Sequence, residues 1–381
     1  MQVTRRAFAL GTLALMTSGC MRTLPTTPAA ETSYRAVPNA GFDAWVAGFK
    51  PRAASAGISQ ATLDRAFRGA GYLPDVIERD RNQAEFTRTL EDYLAIAASD
   101  ERIATGRQML QRHAGLLDRI EARYGVEKEV VVAVWGLESR YGARRGDVPV
   151  ISAVSTLAYD GRRGAFFEKQ LIAALKILDS GDTTPDRMTG SWAGAMGHTQ
   201  FIPTSYQAYA VDFDGDGRRD IWSDDPTDAL ASAAAYLQRS GWRTGQPWGG
   251  ELGSQAAAWG TPLQVLQPQV PGPRIAVFHN FNVIKRYNNS DLYAIGIGHL
   301  SDRLAGGGPF RTAFGADATG LTLEDRKEMQ RLLTARGFDT GGADGVIGSK
   351  TRAAITGFQQ SVGLPATGEP SAALLNRLRR G

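Results

Sequence analysis

A single carboxylate at the end of an apolar stretch is the residue best suited to acid chemistry in this sequence. Glu138 directly follows residues 130–137, VVVAVWGL, none of which carries a charge. Burial disfavours the ionised form of a carboxyl group and raises its pKa. A carboxylic acid that stays protonated near neutral pH can serve as a general acid. The alternative is that Glu138 pairs with Arg140 or Arg144 at the end of a helix.

A second group of acidic residues has the spacing of a cation-binding loop. Asp212, Asp214 and Asp216 occupy positions one, three and five of a loop of EF-hand type, and Gly217 follows them. The backbone carbonyl of Arg218 would be a further ligand. Position twelve carries a serine instead of the usual bidentate glutamate, so the closing carboxylate would come from the residues beyond it: Asp224, Asp225 or Asp228. We predict a structural calcium or sodium ion here, and the alternative is a solvated acidic turn.

Two further segments could contact a ligand. Residues 191–203 combine small residues with the neutral hydrogen-bonding side chains of Thr199 and Gln200, which suits an uncharged ligand such as a sugar. Arg162 and Arg163 could bind anionic groups. The alternatives are a helix-packing turn for the first segment and a solvated turn for the second.

Other kinds of catalytic centre find no support in the sequence. The four histidines are scattered without metal-ligand spacing, and no nucleophile elbow, P-loop or dinucleotide fingerprint occurs. Asp147 and Asp160 are the nearest candidates for a second catalytic carboxylate, but neither has a feature that selects it. We therefore expect no cofactor in catalysis.

The N-terminus has the features of an export signal. Arg5 and Arg6 precede the apolar residues 7–16, and a small-residue zone leads to Cys20, the only cysteine of the chain. This pattern predicts a lipoprotein-type signal peptide over residues 1–20, with lipid attached to Cys20, although Thr17 stands where leucine is usual. The paired arginines also resemble a twin-arginine export signal. The alternative is that residues 1–20 are simply a first helix.

Length and composition indicate a large globular domain followed by a small module. The chain has 381 residues, of which 43% are hydrophobic and 22% charged, with a net charge of +4. Because no basic run is interleaved with aromatic residues, we expect no nucleic-acid partner. We expect a monomer.

Periodicity predicts a mainly α chain in five parts. Helical spacing dominates residues 40–135 and returns over 280–304, whereas residues 245–274 are rich in glycine, proline and glutamine and have few helical signals. The predicted parts are the signal peptide (1–20), a flexible tether (21–37), a catalytic domain (38–305), a linker (306–319) and a helical module (320–381).

Four blocks of the sequence resemble the membrane-bound lytic murein transglycosylase B family. They are residues 135–142 (WGLESRYG), residues 193–201 (AGAMGHTQF), the acidic loop with the following Ile221-Trp222, and residues 281–288 (FNVIKRYN) with Tyr293-Ala294. Residues 321–379, which include DGVIG at 344–348, resemble the small three-helix peptidoglycan-binding domain. The resemblance implies a goose-lysozyme-like catalytic domain that cleaves the MurNAc–GlcNAc β-1,4 bond of peptidoglycan without water.

In this family a single carboxylic acid performs both proton transfers, and Glu138 matches it. The resemblance implies that Glu138 first protonates the glycosidic oxygen while the N-acetyl carbonyl of MurNAc assists at C1. Glu138 then accepts the proton of the C6 hydroxyl, which closes a 1,6-anhydro ring. Substrate assistance would explain the lack of a second carboxylate.

The resemblance also assigns the other site residues. Family positions in the glycan groove correspond to Gln200, Tyr236, Tyr287 and Tyr293; positions near the stem peptide to Arg162 and Arg163; and positions of the metal loop to Asp212, Asp214, Asp216, Arg218 and Asp228. It gives no role to His198. We expect a periplasmic protein of a Gram-negative bacterium, anchored by lipid to the outer membrane. Two alternatives remain, a hydrolytic muramidase with the same groove and a non-catalytic wall-binding lipoprotein.

Overall fold

A computed structural model describes residues 34–82 and 89–380, and these residues belong to one compact unit. The predicted signal peptide, the lipidated Cys20 and most of the predicted tether therefore lie outside the described residues. Helices dominate, as the sequence predicts. None of the helices in the described ranges is long and apolar enough to cross a bilayer.

The elements follow one another in this order: α1 (Ala40–Ser55), α2 (Gln60–Phe67), α3 (Pro74–Arg81), α4 (Leu90–Ala97), α5 (Asp100–Arg112), α6 (Ala114–Tyr124), α7 (Lys128–Ser139), β1 (Val148–Pro149), α8 (Val150–Asp160), α9 (Gly164–Ser180), β2 (Thr189–Gly190), α10 (Pro203–Tyr209), α11 (Thr227–Arg239), β3 (Gly249–Glu251), a 3₁₀ turn (Ala256–Ala258), β4 (Gln264–Leu266), β5 (Ile275–Val277), α12 (His279–Tyr287), α13 (Asp291–Leu304), α14 (Leu323–Ala335), α15 (Ser349–Ser361) and α16 (Ala372–Arg380).

Helix α7 is the central element of the larger core. Its residues from Val130 to Gly136 are all buried, and it packs against α5, α6, α11 and α13. A helix that is apolar on every side is stable only inside a protein, surrounded by other helices. The helix ends at Arg140 in the left-handed conformation (φ 51°). This packing places the carboxyl group of Glu138 at the end of a buried helix.

Two stretches that read as continuous helix are each divided. Residues 103–120 lie on α5 and α6, which meet at His113, and residues 280–304 lie on α12 and α13. The second break is marked by Ser290, whose side chain accepts a hydrogen bond from the amide of Tyr293 and so caps α13. The cap fixes where α13 begins and therefore where Tyr293 points.

A small sheet occupies the segment in which the sequence shows few helical signals. Strands β3, β5 and β4 pair antiparallel in that order, with Ala276 between Gly250 and Val265. A second pair joins β1 to β2. The sequence did not predict the three-stranded sheet, because strands of three residues are too short to show a period of two. In β3, two of the three residues are also glycines.

The C-terminal module has its own core and is docked on the larger domain. Helices α14, α15 and α16 enclose Met329, Leu333, Ile355, Phe358 and other buried residues. The guanidinium of Arg326, 3% exposed, contacts three carboxylates, of which Glu91 (3.2 Å) and Asp92 (2.6 Å) belong to α4 of the larger domain and Asp317 (2.7 Å) precedes α14.

The segment 306–319, predicted as a linker, also packs on the larger domain. The ring of Phe310 stacks on His299 at 4.2 Å, and the amides of Arg311 and Thr312 donate to the carboxylate of Glu251. The domain boundaries themselves stay predictions.

Candidate active site

Glu138 and the hydroxyl of Tyr293 form the centre of the site. The hydroxyl donates a hydrogen bond of 2.6 Å to Oε1 of Glu138. Burial raises the pKa of Glu138 to about 7, and the bond from Tyr293 acts in the opposite direction. At neutral pH a large share of Glu138 is therefore protonated. The pairing with Arg140 or Arg144, the alternative from the sequence, does not form: neither arginine affects the pKa of Glu138.

No second carboxylate accompanies Glu138 within residues 34–82 and 89–380. Only two influences act on its pKa: burial, which raises it, and the hydrogen bond from Tyr293, which lowers it. Asp160 is bound instead to Arg81 at 2.7 Å. Asp302 is another buried carboxyl group whose pKa burial raises to about 7, but it accepts a hydrogen bond from Nε1 of Trp248 at 3.0 Å and is not among the groups that act on Glu138.

The predicted groove tyrosines are brought together with Glu138. Tyr236 and Tyr287 have ring centroids 4.7 Å apart, and Tyr209 lies 4.2 Å from Tyr236. Burial is the main cause of the raised pKa of Tyr287 and of Tyr293, and the charge of Glu138 is the second cause for both. Both rings therefore lie near the carboxyl group.

Each of the three predicted tyrosines already donates its hydroxyl within the protein. Tyr287 donates to the carbonyl of Thr199 at 2.7 Å, and Tyr236 donates to the carbonyl of Arg286. What these two residues can offer a ligand is therefore their ring surface rather than a free donor, and ring surfaces stack well on the apolar faces of sugars.

Gln200 is held rigidly in the segment that faces α7. Its backbone is in the left-handed conformation (φ 53°), which is uncommon for a residue with a side chain. Its Nε2 donates to the carbonyls of Gly197 (2.8 Å) and Arg145 (2.9 Å). Because the amide nitrogen is engaged twice, the side-chain oxygen is the group that remains for a ligand.

Arg162 and Arg163 lie in the turn between α8 and α9, where both are exposed. Arg162 donates to the buried carboxylate of Asp80 at 2.8 Å, and Arg163 lies over the ring of Phe166 at 4.5 Å. These contacts do not connect the two arginines to the Glu138 cluster. Their role beside a stem peptide stays a prediction.

The acidic loop has the arrangement expected of a cation site for three of its five predicted ligands. One carboxylate oxygen from each of Asp212, Asp214 and Asp216 can be chosen so that all three lie within 4.8 Å of one another, and all three side chains are exposed. Gly217 takes a left-handed conformation (φ 89°), as the predicted turn requires. Convergent carboxylate oxygens are the donors that calcium prefers.

Asp228 is placed differently from the three exposed aspartates. It is buried, and its two carboxylate oxygens accept from the amides of Phe213 (2.7 Å) and Asp220 (2.9 Å). Burial raises its pKa to about 6. Asp228 therefore stabilises the loop by accepting hydrogen bonds from its backbone amides, and it is not one of the three converging carboxylates. The amide of Arg218 donates to Asp216 at 2.8 Å.

Comparison with known proteins identifies the two parts of the chain. A family model described as a transglycosylase SLT domain matches residues 41–259 and 251–302, and one described as a putative peptidoglycan binding domain matches residues 322–378. The chain belongs to the SLT-domain family of lytic transglycosylases. Members of this family are peptidoglycan-cleaving lyases, and the resemblance seen in the sequence is thus confirmed.

Three relatives place this SLT-domain chain within its family. It is 34% identical over 234 residues to membrane-bound lytic murein transglycosylase B of Escherichia coli (strain K12). The match covers 54% of this chain and 64% of that relative, which is less than two thirds of the relative's length. The crystal structure of SltB3 from Pseudomonas aeruginosa in complex with NAG-anhNAM-pentapeptide is 45% identical, with a TM-score of 0.69, covering 90% of this chain and 100% of SltB3.

The third relative is the Escherichia coli lytic transglycosylase Slt35 in complex with calcium. It is 28% identical, with a TM-score of 0.59, covering 70% of this chain and 93% of that one. The lysozyme-like helical fold with a C-terminal wall-binding module is therefore confirmed.

Sequence reasoning missed several residues around Glu138. His198 received no role, yet its ring accepts from Trp135 and its carbonyl accepts from Ser139. Arg145 also escaped notice, although it binds Ser223 and Asp224. No sequence signal links these residues, because 53 positions separate Arg145 from His198 and only the fold brings them together.

Proposed function

We propose that this protein is a lytic transglycosylase that cleaves the MurNAc–GlcNAc β-1,4 bond of peptidoglycan and leaves 1,6-anhydroMurNAc ends, with Glu138 as acid and then as base. The observation that carries the proposal is the partly buried carboxyl group of Glu138, whose pKa burial raises to about 7, with Tyr293 at 2.6 Å and no second carboxylate among the described residues acting on it. The names of the relatives, and the anhydro sugar in the SltB3 complex, support the same reaction.

The chemistry requires one group to be acid and base in turn. Glu138 donates its proton to the glycosidic oxygen as the bond to C1 breaks, and the N-acetyl carbonyl of MurNAc stabilises C1. The carboxylate then accepts the proton of the C6 hydroxyl, whose oxygen bonds to C1. A pKa of about 7 suits both steps, because neither form of Glu138 is strongly favoured at neutral pH.

Tyr293 stabilises the ionised form of Glu138. Its hydroxyl donates to the carboxylate that exists between the two proton transfers, and a hydrogen bond to an ionised acceptor is stronger than one to a neutral acceptor. The rings of Tyr236 and Tyr287 and the side chain of Gln200 would position the glycan. Arg162 and Arg163 would contact the anionic stem peptide.

The test is digestion of purified sacculi followed by mass spectrometry of the released fragments. Wild-type protein should release fragments with 1,6-anhydro ends, and Glu138→Gln should release none. Asp302→Asn is the matched control, because Asp302 is also a buried carboxyl group with a pKa near 7, and it should retain activity. Reducing ends would instead identify a hydrolytic muramidase. No cleavage by the wild type, with binding retained, would identify a non-catalytic wall-binding protein.

We also propose that the acidic loop holds a structural calcium or sodium ion. Asp212, Asp214 and Asp216 would supply carboxylates and Arg218 a carbonyl, while Asp228 fixes the backbone of the loop from beneath. The Slt35 complex with calcium supports this proposal. Such an ion would hold the loop together and supply no chemistry to the reaction.

Calcium should raise the melting temperature of the wild type and have a smaller effect on Asp214→Asn. Asp339→Asn is a suitable control, because Asp339 is also exposed and also accepts a hydrogen bond from an amide two residues later. Equal calcium effects on all three proteins would contradict the ion site, and the same titration with sodium would identify the preferred ion.

For the location, we propose a periplasmic monomer of a Gram-negative bacterium, anchored to the outer membrane through lipid on Cys20. Metabolic labelling with an alkyne fatty acid, followed by membrane fractionation, tests the anchor. The wild type should be labelled and sediment with the outer membrane, whereas Cys20→Ser should be neither labelled nor anchored. An unlabelled wild type would contradict the proposal.

A further inference from the structure

The ring of His198 lies between the helix that carries Glu138 and the end of the acidic loop. Nε1 of Trp135 donates to Nδ1 of His198 at 3.1 Å, and Nε2 of His198 lies 2.8 Å from the carbonyl oxygen of Ser223. His198 is 3% exposed. A single imidazole therefore bridges the body of α7 and the backbone at residue 223.

Only one neutral form of the ring satisfies both contacts. The indole of Trp135 can only donate, so Nδ1 must accept, and the proton of a neutral imidazole then resides on Nε2 and points at the Ser223 carbonyl. Arg145 shares the acceptor, because its Nη1 also donates to the Ser223 carbonyl, at 2.6 Å; its distance of 3.2 Å from Nε2 then separates two donors that converge on one oxygen. Burial and the nearby charge of Arg145 both lower the pKa of His198, which favours the neutral ring.

The backbone around His198 makes a second set of contacts with the same helix. The hydroxyl of Ser139, the residue after Glu138, donates to the carbonyl of His198 at 2.6 Å and accepts from the amide of Gly142 at 2.9 Å. The amide of His198 donates to the carbonyl of Ile221 at 3.1 Å. The ring, the carbonyl and the amide of His198 thus connect the C-terminal end of α7 to residues 221–223, which follow the acidic loop.

The fit around the ring is close. A Cβ placed on Gly142 would lie 2.6 Å from Cε1 and Nδ1 of His198, and Gly142 has a φ of 87°. Any side chain at residue 142 would therefore displace the imidazole. The turn after α7 is built to admit the ring.

The residues next to His198 in sequence reach the groove directly. The carbonyl of Thr199 accepts from the hydroxyl of Tyr287, and Nε2 of Gln200 donates to the carbonyl of Arg145. A shift of residues 198–200 relative to α7 would therefore move Tyr287 and Gln200 relative to Glu138.

We infer that His198, as the neutral tautomer with its proton on Nε2, is a positioning residue that fixes Glu138 relative to the groove residues Gln200 and Tyr287. The inference rests on the proposed function of Glu138. His198 itself does not touch the reacting atoms. Its two ring nitrogens and its backbone hold α7, the groove segment and the end of the acidic loop in one arrangement.

A pair of substitutions separates positioning from simple packing. In His198→Asn the side-chain oxygen can replace Nδ1 as the acceptor for Trp135, whereas His198→Leu fills the space without any hydrogen bond. Misplacing a catalytic group by about 1 Å can cost about 100-fold in rate. We expect kcat on purified glycan strands to fall about 10- to 100-fold in the leucine variant, with KM within about twofold, and to be largely restored in the asparagine variant.

His279→Leu is the matched control, because Nε2 of His279 also lies 2.8 Å from a backbone carbonyl, that of Gly241, which belongs to neither α7 nor the groove segment. Its kcat should be that of the wild type. Equal kcat values for the leucine and asparagine variants at position 198 would overturn the inference. Loss of activity in Glu138→Gln tests the proposed function separately.

The tautomer can be measured without any activity and in the unaltered protein. The chain has four histidines, so nitrogen-15 spectra of histidine-labelled protein can be assigned by single substitutions. We expect His198 to show an unprotonated Nδ1 and a protonated Nε2 at pH 7. A protonated Nδ1, or a doubly protonated ring, would overturn the inference even if the substituted proteins fail to fold.

Discussion

Replacing Glu138 with glutamine should stabilise the folded protein in a strongly pH-dependent way. Burial raises the pKa of Glu138 from 4.5 to about 7 in the folded state. Between these two values the unfolded chain ionises the group while the folded protein keeps it protonated, so the stability of the wild type falls as the pH rises through this window. Glutamine has the same shape and no charge, and it removes this loss.

The magnitude follows from the two pKa values. A difference of about 2.5 pH units, at 1.36 kcal/mol per unit, gives about 3 kcal/mol. The advantage of Glu138→Gln over the wild type should therefore be about 3 kcal/mol larger at pH 8 than at pH 4. Any constant effect of the amide on the bond from Tyr293 is the same at both pH values and cancels in this comparison.

Urea unfolding at pH 4, 6 and 8 measures these free energies directly. Glu101→Gln, which removes one exposed carboxylate from α5, provides the baseline for the loss of a single negative charge. An advantage that is the same at pH 4 and pH 8, or a loss of stability at pH 8, would refute the reasoning, because it would mean that burial does not hold Glu138 in its protonated form.

Two further perturbations test other contacts of the structure. Tyr293→Phe removes the hydrogen bond that lowers the pKa of Glu138, so the alkaline limb of the pH profile of kcat/KM should move upward by about 1 to 2 pH units. Tyr287→Phe should leave the limb in place, because the hydroxyl of Tyr287 bonds to a backbone carbonyl. An unmoved limb in both variants would contradict the assignment. Arg326→Ala leaves three carboxylates without their buried cation and should lower the free energy of unfolding, measured with urea, by about 3 to 5 kcal/mol. Replacement of the exposed Arg331 on the same helix by alanine should lower it by less than about 0.5 kcal/mol. Equal losses would show that the docking of the module does not depend on Arg326.

Much of the fold could be read from the sequence because its signals are local. Helical spacing over residues 40–135 correctly predicts the run of helices that begins with α1, and the C-terminal module has the three helices that its resemblance implies. The strands from Gly249 to Val277 could not be predicted, since each is three residues long and its pairing partners lie elsewhere in the chain.

Packing also changed the meaning of individual residues. Arg326 looks like an ordinary charge on an amphipathic helix, and only docking reveals it as a buried cation among three carboxylates. His198 looks like an isolated histidine, and only the approach of Trp135 and Ser223 gives its ring a single tautomer. Contacts across many residues of sequence leave no local pattern.

The sequence by itself determined that Glu138 is a lone carboxyl group in apolar surroundings, because eight uncharged residues precede it. It also determined that the acidic loop brings Asp212, Asp214 and Asp216 together, because alternate residues of one tight turn converge without help from the rest of the fold. Only the tertiary structure decided that Tyr293, 155 residues further along, donates to Glu138, and that Asp228 is buried beneath the loop. The pKa of a carboxyl group depends on what surrounds it in space, and chain connectivity does not specify those surroundings.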